Sequence, residues 1–323
     1  MSAAPTFLRR HFLPVGLLTV ALVGLLLPGP GTAVGRLPIQ YVAVAAIFIC
    51  SGLMLRTEEV HAALSAWRAT LFGSCSILFI TPVIGATLAF HVPIDPSFQL
   101  GLALFCCMPT TLSSGIVLTA QARGNAALAL LLTVATNTVG ILTVPFVLAY
   151  LLGAIGKVDL SATELLVKLC LTILLPLSIG RFLRRFVATW VDAHRSTLTM
   201  VSNLALISIP WIKFSQSSDR LAQIDLASLA ILFVAGLAIH GIFLILNDGA
   251  SRALRLAPAA RKAVVLMASQ KTLPVAMTVV AVLPEDAIAG YAKGLIVIPC
   301  ITFHLGQIIG DAVLASRWGS QDA

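Results

Sequence analysis

The sequence predicts an all-α integral membrane protein of ten transmembrane helices, arranged as a five-plus-five inverted repeat with two broken helices that cross. Three observations lead there. Of the 323 residues, 59% are hydrophobic and 11% charged, and mean hydropathy is +1.00, whereas a soluble domain carries roughly a quarter charged residues. Ten apolar stretches are long enough to cross a hydrocarbon core of about 30 Å, and polar, Gly-rich or Pro-rich connectors separate them. Two of these stretches, at matching places in the two halves, carry a central proline among polar residues.

The first stretch, 12–28, follows a short start bearing Arg9, Arg10 and His11 and has no small-residue cleavage site, so it is expected to be retained. Spans two to five are 38–55, 68–90, 98–121 and 125–153; spans six to ten are 163–183, 197–214, 226–247, 263–283 and 288–314. The lengths of 125–153 and 288–314 predict tilt or a break. Fourteen connector Lys and Arg residues, among them Arg9, Arg56, Arg123, Arg184, Arg195 and Lys262, fall on one side, against Arg36, Lys157, Lys213 and Arg220 on the other. Positive charge gathers in cytoplasmic loops, so both termini are expected in the cytoplasm, which an even number of spans allows. An odd number of spans in each half inverts the second half, and the repeats are expected at 12–153 and 163–314.

A proline inside a helix removes one hydrogen bond and clashes with a preceding carbonyl. In lipid such a break is tolerated where protein or a water-filled cavity covers it. Pro109 has Thr110, Thr111, Ser113 and Ser114 beside it; Pro274 has Ser269, Gln270, Lys271 and Thr272. Single proline kinks are common in membrane helices, but a matched pair marks a binding site at mid-membrane, where half-helix N-termini suit anionic groups. Lys271 is central in its span, where a lysine costs about 2.5 to 3.5 kcal/mol. Every Asp and Glu lies in a connector or near a segment end, so the lysine is expected either to pair with an anionic substrate or to lose its proton. Thr133, Thr136 and Asn137 of span five and His304 and Gln307 of span ten are further candidates to line the site, although membrane threonines often bond only their own helix. His240 reads as an interhelical hydrogen-bonder.

The basic excess forms no run interleaved with aromatics, so nucleic-acid binding is not expected. The six cysteines show no CxxC pair and no zinc spacing and read as small core residues. No metal motif, no cofactor signature, no Ser/His/Asp arrangement and no paired carboxylates are evident, so an enzyme is not expected. The leading expectation is a secondary transporter of a small organic anion. A membrane regulator or receptor that binds a ligand without transport is the alternative.

The strings "FCCMPTTLSSGIVLT", "ARGNAALALLLTVATN", "SQKTLPVA" and "PCITFHLGQIIGD", with "SGLMLRTEEV" and "GRFLRRF", closely resemble the SBF-like branch of the bile acid:sodium symporter superfamily, over nearly the whole chain. The resemblance implies a panel of spans one, two, six and seven and a core of spans three to five and eight to ten, with the site where spans four and nine cross. It also implies sodium ligands: Ser114, Thr133 and Gln270 match the pattern. Gly115, Ala129 and Leu266 stand where sodium-coupled relatives carry asparagine, serine and glutamate, and Lys271 stands where they carry asparagine. The coupling ion is therefore open among sodium, a proton and none, with the Lys271 ammonium expected to replace sodium. A bacterial inner membrane is the first expected location and a plastid envelope the second.

Overall fold

The computed structural model describes residues 12–55, 66–154, 160–284, 287–288 and 290–321, and these are helical with no strand. The topological charges Arg9, Arg10, Arg56 and Lys157 lie outside the described residues. Each predicted span overlaps helix, but 98–121 is interrupted at 107–113, 263–283 at 270–272, and 288–314 is helical only from Lys293. In order the helices are α1 (Phe12–Leu26), α2 (Pro28–Gly35), α3 (Ile39–Met54), α4 (Trp67–His91), α5 (Pro96–Cys106), α6 (Ser114–Gln121) and α7 (Ala126–Ala154). The second half continues with α8 (Ala162–Ala193), α9 (Arg195–Gln216), α10 (Ser218–Leu221), α11 (Leu226–Ala253), α12 (Pro258–Ser269), α13 (Leu273–Val282) and α14 (Lys293–Gln321). Among the described residues, seven helices are long and apolar enough to cross a membrane, or eight if α1 and α2, bent by 98°, form one span; α3 and α5 are shorter apolar helices.

The prolines divide by their neighbours. Pro145, Pro210 and Pro299 sit inside continuous helices, whereas Pro109 lies in the non-helical stretch 107–113 between α5 and α6. Pro274 does not itself stand in the second break, as the sequence suggests; it is the second residue of α13, where a missing N–H costs nothing. The break is the three residues 270–272 before it. Two helices widen into a π turn just ahead of a proline: α4 at Ser76–Ile80 before Pro82, and α8 at Cys170–Leu174 before Pro176.

Helices α1, α3, α8 and α9 pack on one another, while α12 lies among α4, α6, α7 and α11, and α13 packs on α14 and α5 and also meets α3, α8 and α9. The most apolar window of Pro258–Val282 is 94% buried, so this broken helix is the innermost element. Phe105, Phe243 and Phe303 fill the space beside it. Leu22, Phe186, Tyr150 and Ile245 are exposed, as expected of side chains that meet lipid. The expectation that all cysteines are core residues is corrected: Cys50, Cys106, Cys107 and Cys300 are buried, but Cys170 is only partly covered and Cys75 is exposed.

Where α3 crosses α8, the backbones themselves touch. A Cβ at Gly180 would collide with the Ile49 carbonyl, and one at Gly52 with the Leu177 carbonyl; backbone cannot step aside as a side chain can. Gly180→Val is therefore expected to destabilise the protein by about 1–3 kcal/mol, read as a lower thermal midpoint in detergent. Gly241→Val, which meets nothing within 4 Å, is expected to change the midpoint little.

Candidate functional site

The two breaks satisfy each other. Pro109 turns its carbonyl toward the second break, where it accepts the Thr272 N–H at 2.9 Å. The Thr110 hydroxyl donates to the Met267 carbonyl at 2.5 Å, and the Thr110 carbonyl accepts from Asn137 Nδ2 at 3.0 Å. Thr133 donates to the Thr111 carbonyl at 3.4 Å and to Ala129 of its own helix at 2.9 Å. Polar residues on α7 thus complete the backbone that the first break leaves open, which is what an unpaired carbonyl in an apolar surrounding requires. Thr136 is not among them: it is buried and donates only to Leu132 within α7.

In the second break the chain is extended at Gln270 and Thr272. Gln307 of α14 takes the place of a neighbouring strand, accepting the Lys271 N–H at 2.9 Å and donating to the Lys271 carbonyl at 2.7 Å, with His304 Nδ1 3.1 Å from the same amide nitrogen. Gln270 links two groups. Its Oε1 accepts from Thr111 at 2.7 Å and lies 3.5 Å from Ser114, and its Nε2 donates to Asp311 Oδ2 at 2.7 Å. The Ser269 carbonyl lies 3.2 Å from His240 Nδ1, and Asn247 connects Ser269 with the Ser76 hydroxyl of α4.

Two sequence expectations are corrected here. First, a carboxylate does stand at this depth. Helix α14 runs on to Gln321, so Asp311 is well inside it, fully buried, bonded to Gln270 and 2.9 Å from His240 Nε2. The apolar run to residue 314 hides this by placing Asp311 near a segment end. Its spacing is a usable signal, since His304, Gln307 and Asp311 recur at three and four residues on one helix face. Second, the Lys271 side chain points toward α4 and meets protein groups there. Its ammonium donates to the Ile77 carbonyl at 3.1 Å and the Thr81 hydroxyl at 2.8 Å, and sits 5.8 Å from the Phe243 ring. Pro82 has no N–H to meet Ile77 across the π turn of α4, and the lysine supplies the donor instead. Ser76, Thr81, His240, Asn247 and Asp311 therefore belong to the polar network, although the sequence marks none of them as a site candidate.

A cavity of about 540 Å³ opens on the other side of the crossing. Thr111, Ser113, Ser114, Thr133, Thr272, Pro274 and His304 line it from the broken-helix side, and Leu13, Ser51, Arg195, Thr199, Asn203 and Leu206 line it from α1, α3 and α9. Two helices begin at its wall. Neither Ser113 ahead of α6 nor Thr272 ahead of α13 caps its helix with its side chain; in α6 the Thr111 hydroxyl accepts the Gly115 N–H at 3.1 Å, and the positive ends of both helices lie at the cavity wall. The Thr272 Oγ1, 1% exposed, has no partner, and neither does the buried Asn137 Oδ1. Gly115 is hemmed in, with an added Cβ meeting Met267 Sδ at 2.6 Å and Thr111 Oγ1 at 2.8 Å, so a larger side chain there requires those two side chains to shift. No group of three or more His, Cys, Asp and Glu placed to hold a metal ion occurs among the described residues.

Residues 11–320 match the model of the SBF-like CPA transporter family. The chain belongs to that family. Among its relatives, the "Probable sodium/metabolite cotransporter BASS4, chloroplastic" of Oryza sativa subsp. indica is 37% identical over 330 residues, covering 98% of this chain and 77% of that protein. "Sodium/bile acid cotransporter 7-B" of Xenopus laevis is 29% identical over 318 residues, covering 95% and 91%. An uncharacterized protein of Pseudomonas aeruginosa is 28% identical over 319 residues, covering 97% and 94%. This member of a transporter family is a multi-pass membrane protein.

Removing Asp311 orphans the Gln270 amide and the His240 ring together. Each buried group left unpaired costs about 1–3 kcal/mol. Asp311→Ala is expected to lower the thermal midpoint by several degrees, and Asp311→Asn, which keeps an acceptor for Gln270, by less; differential scanning fluorimetry in detergent measures both.

Proposed function

We propose that this family member is a secondary active transporter of a small organic anion that works by alternating access. One observation carries the reading: two interrupted helices, joined from Pro109 to Thr272, start the N-termini of α6 and α13 at the wall of an open cavity, beside a buried Thr272 hydroxyl that has no partner. Helix N-termini and hydroxyls favour an anion without the cost of a buried counter-charge. Thr111, Ser113, Ser114, Thr133, Thr272 and His304 contact the substrate in this reading; Thr110, Asn137, Ser269, Gln270, Lys271 and Gln307 hold the crossing in shape. The fold is a ten-span inverted repeat over 12–153 and 163–314, in which α1, α3, α8 and α9 form the panel against which the remaining helices move. Both termini lie in the cytoplasm, and a bacterial inner membrane is the favoured location over a plastid envelope.

Transport runs without sodium in this reading. The oxygens of Thr111 and Gln270 are hydrogen-bonded to each other, Gly115 contributes no side-chain ligand, and the Lys271 charge next to the crossing opposes a second cation. A proton or no ion accompanies the anion. Purified protein in liposomes on a solid-supported membrane tests this with pyruvate, glycolate and taurocholate, each with and without sodium. A saturable current or counterflow for one of them, unchanged by sodium and reduced at least tenfold in Thr272→Val, is expected; no flux for any of the three sinks the proposed substrates, and flux that requires sodium sinks the coupling.

A further inference from the structure

Arg195 is one of the arginines that the sequence assigns to a connector, where its charge only orients the chain. The structure puts it elsewhere. It is the first residue of α9, and with Thr199, Ser202, Asn203 and Leu206 it lines the cavity along one helix face. Among the described lining residues it is the sole Lys, Arg, Asp or Glu. From Arg195 to Leu206 the helix rises about 16 Å, which places the guanidinium at the mouth and Leu206 deep in the space.

The guanidinium is held but not used up. Its Nη2 donates to the Met54 carbonyl at the end of α3 at 2.7 Å, and its Nε donates to Asp192 Oδ1 at 3.2 Å. Those bonds take two of the five N–H donors of an arginine, and the side chain is 39% exposed. Asp192 is shared with Arg184, whose Nη2 lies 3.2 and 3.3 Å from its two oxygens, so its charge is divided between two guanidinium groups. Arg184 and Arg181 donate to the Leu53 and Leu55 carbonyls on either side, so three arginines stand at one carboxyl end of a helix. Lys271, the other candidate counter-charge, is turned away from this space.

We propose that Arg195 is the residue that selects anions at this cavity, and that the molecules it selects are small organic carboxylates with an apolar body. The planar fork of its remaining donors matches a carboxylate. The apolar body lies against Leu13, Ile116, Val117 and Leu206, which share the lining. From there the carboxylate passes inward to the N-termini of α6 and α13. This inference rests on the cavity being the transport path proposed above.

The test needs no known substrate. Ser202→Cys places a thiol in the lining, and purified protein is treated with a negatively charged sulfonatoethyl or a positively charged trimethylammonioethyl methanethiosulfonate; mass spectrometry of the peptide holding residue 202 gives each rate. A focused positive charge raises local anion concentration roughly tenfold or more. The anionic reagent is expected to react faster, and the ratio of the two rates to fall about tenfold in Arg195→Gln, remain high in Arg195→Lys and rise in Asp192→Asn. A ratio that is the same in Arg195→Gln, in protein that elutes as a single species, or that does not move in Asp192→Asn, overturns the assignment of Arg195 while leaving the transport path standing. If neither reagent labels the Ser202→Cys variant, the path itself is overturned.

Discussion

The hydrogen bond from Thr272 to the Pro109 carbonyl joins two backbones that have each left their helix in an apolar interior. Each break exposes polar groups that cannot find water there, and the surrounding side chains are arranged to meet them. Asn137 and Thr133 serve the first break; Gln307 serves the second. The side chains at the crossing are therefore constrained in two directions, by backbone groups to satisfy and by a cavity to line.

The crossing separates a closed, buried polar network from an open cavity. Toward α4, α11 and α14 lie Lys271, His240 and Asp311, all buried and all hydrogen-bonded. Toward α1, α3 and α9 lie hydroxyls, two helix N-termini and, at the mouth, Arg195. Gln270 connects the sides, its oxygen toward Thr111 and its nitrogen toward Asp311. A movement of α6 that pulls Thr111 away changes the partners available to a group bonded to the buried carboxylate, so the polar network is mechanically joined to the cavity wall.

Much of this is legible in the sequence because membrane helices announce themselves by length and hydropathy. The breaks are legible too, since polar residues beside a proline distinguish Pro109 and Pro274 from Pro145, Pro210 and Pro299, which bend nothing apart. Side-chain direction is not legible. Lys271 sits at the expected depth but faces α4, because the partner that settles its direction is a carbonyl freed by a π turn far away in the chain. Asp311 and Arg195 escape a reading by hydropathy for one shared reason: apolarity marks where a span is greasy, while α9 and α14 continue as helix into polar residues.

The π turn of α4 holds one residue more than an α-helical turn would. Deleting a single residue from Ser76–Ile80 would return the helix to α register and rotate its first half by about 100° relative to its second. Ser76, which reaches Asn247, and Ile77, which receives the lysine, could then no longer both face the crossing. Chain length within those five residues is thus a quantity under constraint, separate from which amino acids occupy them.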